Sequence, residues 1–291
     1  MIPYFPQPRL HLFGPVYFYG FGMMVAIAVV VGWWMTTKRC LREGLDAERL
    51  QDMFGWVVVT GFIVAHLYSV LAYYPGDAMR NPLLLLKVWE NISSFGGIVG
   101  GVFGFWLYFR IKGGDIRFQE QIRYLDVIAY TFPFAWFFGR LGCTLAHDHP
   151  GAVTSFPLAV SLKSEAARRY IQMVYEEAGR LAELSSVGDL SRFGFHDLGW
   201  YEFLFTALFL VPVFFLLGRK KRAPGFYIMA FPLLYIPVRF LLDFLRVGDA
   251  TYFGLTPAQY AGAAVFAVLL ALAWTGFPSK GRWSPRRDDT R

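Results

Sequence analysis

Three arginines and three histidines carry the chemistry available to this sequence. Arg140, Arg239 and Arg246 lie inside or at the ends of strongly apolar stretches, where an arginine costs at least ~2.5–3.5 kcal/mol and normally turns inward to a partner. Arg239, Asp243 and Arg246 are spaced i, i+4 and i+7, which puts them on one face of a helix. Asp243 is then expected to bridge two cations that it cannot neutralise alone. Arg140 and Glu202 belong to other apolar stretches. If the three arginines converge they form a concentrated positive pocket with too few carboxylates to balance it. Guanidinium forks match phosphate oxygens bidentately, so such a pocket suits the phosphate of an anionic phospholipid.

The histidines His147, His149 and His196 occur in His147-Asp148-His149-Pro150-Gly151 and His196-Asp197. Histidine exchanges protons near neutral pH, and Asp148 could orient one imidazole. Participation in catalysis or substrate binding is the leading reading. A polar loop with a capping Asp and a Pro-Gly turn is one alternative, and a zinc site on the His-x-His pair is another. Neither HExxH nor a paired CxxC accompanies that pair, and no metal is expected. His11 reads as a surface residue and His66 as a satisfied interior polar group.

These residues are positioned by a chain of 291 residues that is 56% hydrophobic, 19% aromatic and only 17% charged, with a mean hydropathy of +0.40. Soluble domains carry about 25% charged residues, so a soluble enzyme, a disordered chain and a secreted disulfide scaffold are all excluded. Cys40 and Cys143 are too few for a disulfide framework. The expectation is an all-α polytopic membrane protein forming a single membrane-embedded domain over residues 1–291. Its seven transmembrane helices are placed at Val16–Thr37, Met53–Tyr74, Phe95–Phe109, Leu125–Cys143, Trp200–Leu217, Phe226–Leu245 and Thr256–Thr275. Asn81–Ser94 is apolar but too short to span, and reads as a re-entrant or interfacial segment. Residues 144–199 read as a small external cap, with an amphipathic helix over Ser161–Leu184 that presents Tyr170, Met173, Val174 and Leu181.

The net charge of +7 follows topology and gives no reason to expect nucleic acid. Lys38, Arg39, Arg42 and Arg49, then Arg110, Lys112, Arg117 and Arg123, then Arg219, Lys220, Lys221 and Arg222 fall on one side, with Lys280, Arg282, Arg286, Arg287 and Arg291 of the tail. Arg9, Arg80 and Lys87 fall on the other, together with the basic residues of the long 144–199 segment, which count little. The N-terminus is therefore expected outside and the C-terminus in the cytoplasm. No cleavable leader is read, so the first span is expected to remain as an anchor.

At these residues the chain resembles the prolipoprotein diacylglyceryl transferases, seven-span enzymes of the bacterial inner membrane, over nearly its whole length. The family's aromatic-Tyr-Gly motif reads Tyr17-Phe18-Tyr19-Gly20. Its Lys-Val-Trp before Ser-Phe-His-Gly-Gly reads Lys87-Val88-Trp89 before Ser94-Phe95-Gly96-Gly97. Its Gly-Arg-x-Gly-Asn-Phe-x-Asn-x-Glu-x-x-Gly signature runs from Gly139-Arg140-Leu141-Gly142-Cys143-Thr144 through Ala146 and Asp148 to Gly151. Its His-Pro-Ser-Gln-x-Tyr-Glu reads His196-Asp197-Leu198-Gly199-Trp200-Tyr201-Glu202, and its Arg-x-x-x-Glu-x-x-Arg reads Arg239, Asp243 and Arg246. The departures are Cys143, Thr144, Ala146 and Asp148 in the signature, Gly96 in place of the family histidine, and His66 at a family arginine.

The resemblance implies transfer of the diacylglyceryl group of phosphatidylglycerol to the thiol of a lipobox cysteine in a prolipoprotein signal peptide. A thioether forms and glycerol 1-phosphate leaves, without a cofactor. It further implies phosphatidylglycerol binding by Arg140, Arg239, Arg246, Gly142 and Gly151. Catalysis is expected from His147 or His149 with Asp148, Tyr19 and Glu202, supported by Asp243, Tyr201, His196 and Cys143. Membrane lipids are the remaining partners, and the implied location is the bacterial cytoplasmic membrane. Three other readings stay open: a paralogue using the same donor on another acceptor, a catalytically silent lipid- or lipoprotein-binding protein, and a zinc-dependent membrane hydrolase.

Overall fold

The aromatic run Val16–Tyr19 decides the first elements. β-Branched and aromatic residues favour a strand, and in the computed structural model, which describes residues 1–13, 16–88, 92–112, 114 and 116–277, β1 (Arg9–Phe13) and β2 (Val16–Tyr19) form an antiparallel hairpin. The first helix therefore begins at Gly20, four residues later than the apolar pattern suggests. Trp89 and the basic tail residues from Lys280 to Arg291 lie outside the described residues.

Helices dominate the rest: α1 (Gly20–Arg42), α2 (Ala47–Tyr73), α3 (Pro75–Arg80), α4 (Ser94–Ile111) and α5 (Phe118–Ala146). Strands β3 (Pro150–Thr154) and β4 (Val160–Ser161) follow, then α6 (Glu165–Glu177), α7 (Leu181–Ser186) and β5 (Gly194–Asp197). The chain ends its described course with α8 (Leu198–Phe205), a π-helical turn at Thr206–Leu210, α9 (Val211–Leu217), α10 (Phe226–Leu242) and α11 (Pro257–Trp274). Six helical stretches, including Leu198–Leu217 and Phe226–Leu245 taken whole, are long and apolar enough to cross a bilayer, and the chain is a multi-pass membrane protein. The predicted fourth span falls in α5, whose 29 residues suffice in length but include Arg123, Asp126, Pro133 and Arg140. The Asn81–Ser94 segment contains a 3-10 turn at Pro82–Leu86.

Two compact units emerge from the chain. One comprises Gly32–Thr131, Lys220–Ile236 and Pro257–Arg291. Within it Gly96, Gly100 and Gly104, spaced by four, line the face of α4 that meets α2. A β-carbon at Gly96 would lie 2.7 Å from Tyr68 Cβ and 2.9 Å from Ala65 Cα, and one at Gly100 would lie 2.6 Å from the Thr60 carbonyl oxygen. Small residues let membrane helices approach this closely, and the Thr60 hydroxyl donates across the seam to Gly100 O at 2.9 Å. His66 is fully buried, with Nε2 3.0 Å from Leu84 O, the satisfied interior role expected of it.

The other unit comprises Met1–Val31, Phe132–Arg219 and Pro237–Thr256. Its three-stranded antiparallel sheet has β5 between β3 and β4, and two small sheets thus join a fold expected to be all-α. Ser164 caps α6 by accepting from Ala167 N, and α6 buries Ala167, Ile171 and Tyr175 in one core with Val160, Leu162, Leu184, Phe195 and Val247. The long amphipathic helix expected over Ser161–Leu184 is thereby corrected. Ser161 belongs to a strand, and a residue at φ +67°, Gly179, separates α6 from α7. Met173 and Leu181, expected inside, are 55% and 43% exposed. Tyr170 and Val174, the other two residues of the expected face, do pack at the edge of this core. Met1–Pro8 belongs to the same unit: Ile2 N donates to Ala159 O at 2.9 Å and Ser161 N to Ile2 O at 2.8 Å.

Candidate active site

Arg140 comes from the last turns of α5, Glu202 from α8 and Arg239 from α10. All three are buried, Glu202 completely. Glu202 bridges the two arginines: Oε2 lies 3.0 Å from Arg140 Nε, and Oε1 accepts from Arg239 Nη1. Arg239 Nη2 lies 2.9 Å from Asp243 Oδ1, and Asp243 Oδ2 accepts from the Thr256 hydroxyl at 3.1 Å. The Arg140 guanidinium also sits 4.4 Å from the centroid of the Trp136 ring and donates to Cys143 Sγ at 3.5 Å. Low-dielectric surroundings make such pairs strong once desolvated, and costly to break.

Arg246 does not follow the expected face. The helix α10 ends at Leu242, a 3-10 turn takes Asp243–Leu245, and Arg246 is extended at φ −75° and ψ 144°. Its partner is Asp249, at 2.9 Å, in place of Asp243. The supposed surplus of positive charge is corrected with it: Glu202, Asp243 and Asp249 match the three arginines, and Asp148 stands nearby. Asp249, invisible to a reading centred on helical faces, was signalled by its i+3 spacing from Arg246.

Glycines bring these segments together. A β-carbon at Gly142 would lie 3.1 Å from Met24 Cβ and 3.3 Å from Phe21 O, so this residue lets α5 approach α1. One at Gly151 would lie 2.6 Å from Leu245 O, and Gly151 bridges to Arg246 through the backbone while Val247 N donates to Pro150 O at 3.1 Å. Gly199, not singled out in the sequence, does the same between α8 and Cys143.

The two histidines of the loop after α5 have different fates. His147 takes the left-handed conformation at φ 51°, rare for a residue with a β-carbon, directly after the helix ends. Its ring is buried: Nδ1 is 2.5 Å from Asp197 Oδ2 and Nε2 is 3.0 Å from Phe5 O. It stacks on Tyr4 with centroids 4.9 Å apart, and its carbonyl accepts from the Tyr170 hydroxyl. A carbonyl can only accept, so Nε2 carries a proton. Asp197 also caps α8 by accepting from Trp200 N at 3.1 Å, which ties loop and helix together. His147 thus fastens the N-terminal segment and offers no ring lone pair to a substrate.

His149 is half-buried, and its Nδ1 pairs with the Asp148 carboxylate, while its carbonyl accepts from Leu198 N at 3.0 Å. Burial pushes the Asp148 carboxyl up, but the charge of His149, its hydrogen bond, and the charges of Arg140 and Arg246 outweigh this and hold it below its ordinary value. Asp148, His149 and Cys143 offer ligand atoms within 4.8 Å of one another. The guanidinium beside Cys143 and the arginine field on Asp148 make this corner better suited to an anion than to a cation. His196 Nδ1 meets the Tyr201 hydroxyl at 2.9 Å, and burial lowers its pKa, favouring the neutral ring. Tyr19 lies opposite Arg9 on the hairpin, 47% exposed, and none of its described contacts is with the arginine bridge.

Comparison with known proteins gives one consistent result. The family described as Prolipoprotein diacylglyceryl transferase matches residues 8–275. Proteins named phosphatidylglycerol–prolipoprotein diacylglyceryl transferase are similar over most of their length. That of Nitratidesulfovibrio vulgaris is 27% identical over 81% of this chain and 79% of its own. That of Xanthomonas euvesicatoria is 28% identical over 91% and 90%, and that of Pseudomonas paraeruginosa 27% identical over 98% and 96%.

Proposed function

The chain belongs to the prolipoprotein diacylglyceryl transferase family, and on that premise we propose how its own residues perform the transfer. The reaction moves the diacylglyceryl group of phosphatidylglycerol to a prolipoprotein. The acceptor is the lipobox cysteine of the signal peptide. Its sulfur forms a bond to the terminal glycerol carbon of the diacylglyceryl group, the carbon–oxygen bond to phosphate breaks, and glycerol 1-phosphate departs.

Negative charge grows on the departing phosphate, and preorganised donors aimed there lower the barrier. Arg140 and Arg239 are the donors, held rigidly by Glu202 between them, with Arg246 as the third cation. Free thiols have a pKa of about 8.5, so the acceptor needs a base. His149 supplies it through Nε2, since Asp148 engages Nδ1 and fixes the tautomer as a carboxylate does for other catalytic imidazoles. His147 is assigned to structure. Gly142 and Gly151 place the donor site through packing, and Tyr201 and His196 support it as a bonded pair.

In this reading α5 also spans, fourth in chain order and bringing the total to seven, because its charged residues find partners inside the protein. For Arg123 and Asp126 these are Glu43 and the backbone N–H groups of Tyr227 and Ile228. Residues 144–199 form the external head, the N-terminus is external, the C-terminus is cytoplasmic, and the membrane is the bacterial cytoplasmic membrane. Reporters after Arg291 and near Ser185 should label on opposite sides.

The observation that carries the proposal is the buried Arg140–Glu202–Arg239 bridge beside the Asp148–His149 pair. It is tested by supplying phosphatidylglycerol labelled in its terminal glycerol to the purified protein with a lipobox peptide. Headgroup release should match peptide lipidation one for one and stop without peptide. Release without peptide would instead make the protein a lipid hydrolase.

A further inference from the structure

The three arginines of the site are not held alike. Arg140 and Arg239 share Glu202, and their side chains are 1% and 6% exposed. The Arg246–Asp249 pair is less enclosed, with side chains 16% and 15% exposed. Its charges sit 2.9 Å apart, yet among the described residues Arg246 Nε and Asp249 Oδ2 are buried atoms without a hydrogen-bond partner. The contact is one of charge without aligned donors. A phosphate presents several oxygens to a guanidinium fork and can accept from Nε and Nη together.

The backbone treats the two partners differently as well. Arg246 is fixed by its bridge to Gly151, and Val247 by its bond to Pro150. Asp249 follows Gly248, whose φ is +93°, a conformation that glycine enters without penalty. Burial pushes the Asp249 carboxyl up, against the pull of Arg246, His149 and Arg239, with Asp243 adding to the rise. Glu202 meets two arginines and Asp243 meets Arg239 and the Thr256 hydroxyl, whereas the one ion pair of Asp249 among the described residues is with Arg246.

We propose that Asp249 is a specificity-determining stand-in for the donor's phosphate: its carboxylate occupies Arg246 until an anionic headgroup takes its place. This rests on the donor reading given above and deepens it. Zwitterionic lipids, whose phosphate is accompanied by its own cation, compete poorly with a tethered carboxylate, whereas a phosphatidylglycerol headgroup carries no such cation. The competition sets a threshold that only a net-anionic headgroup passes.

The test is Asp249→Asn, measured for binding of phosphatidylglycerol in phosphatidylcholine micelles and of soluble glycerol 1-phosphate. Asp189→Asn, which removes an exposed carboxylate paired with Arg192, corrects for net charge. Asp249→Ser provides a second carboxylate-free chain if the first folds poorly. Both Asp249 variants should bind both probes roughly tenfold more tightly, between the effects of exposed and buried ion pairs, and lose part of the preference for phosphatidylglycerol over phosphatidylcholine. Asp249→Glu should stay near wild type. Unchanged or weaker binding in folded Asp249→Asn, with wild type still preferring phosphatidylglycerol, would overturn the stand-in and leave the donor reading intact. Absence of that preference in wild type would overturn both.

Discussion

Replacing Glu202 by Gln removes the one charge that Arg140 and Arg239 share. The side chain is completely buried and touches both guanidiniums. Afterwards Asp243, already bonded to Arg239 and Thr256, is the remaining carboxylate in that bridge, and one positive charge is left uncompensated. Taking one partner from a buried pair costs ~3–5 kcal/mol. Gln keeps the shape and one accepting oxygen, so the lower end applies, a fall of about 10 °C in the unfolding midpoint. An anionic ligand replaces the lost charge and so binds the variant more tightly than the wild type, and at saturation a hundredfold difference in Kd returns about 2.7 kcal/mol more to the variant. Thermal unfolding should be followed in phosphatidylcholine micelles and again with phosphatidylglycerol added. The variant should melt about 10 °C below wild type in the first and close at least half the gap in the second. Equal midpoints without the anionic lipid would refute the assignment of Glu202 as the charge brace. A gap that the lipid leaves unchanged would refute the placing of the donor phosphate at these arginines.

Gly96→His restores the family's residue but should not restore a base, because even its β-carbon would lie 2.7 Å from Tyr68 Cβ. The expected result is a loss of about 1–3 kcal/mol from overpacking in thermal unfolding, and a wild-type midpoint would contradict it. His196 titrates below its ordinary value because burial disfavours the charged ring. The unfolded chain then binds more protons across that interval, so stability rises with pH there and is lost as pH falls below about 6.5. Midpoints measured from pH 7 to pH 5 should decline less steeply in His196→Gln, and parallel curves would remove His196 as the cause.

The sequence made the membrane character legible because apolar runs of bilayer length have few other uses, and six of the seven predicted spans coincide with such helices. The arginine site was legible for a related reason: Arg140 and Arg239 inside apolar stretches must find partners. Which partners they find was not. Asp243 and Asp249 are both within one helical turn of Arg246 in sequence, and the choice between them depends on where α10 unwinds. Just past that point the backbone of Arg246 bridges to Gly151, some ninety-five residues away. His147 and His149 are equivalent in the sequence and separate only because Phe5 O and Asp197 reach one of them. The hairpin at Arg9–Tyr19 was hidden inside an apolar run that continues into α1, since a short strand and a helix end share the same hydrophobic signal.

The central claim is that His149, oriented by Asp148, takes the proton from the acceptor thiol, while His147 holds the structure. Intact mass of a lipobox peptide, followed over time with phosphatidylglycerol and each purified variant, tests it most directly. His149→Asn should add the diacylglyceryl mass roughly 10²–10⁴-fold more slowly than wild type with phosphatidylglycerol binding retained, while His147→Asn should lose thermal stability yet keep its transfer rate wherever it remains folded. Wild-type rates in His149→Asn, or a slowed reaction confined to folded His147→Asn, would contradict the account.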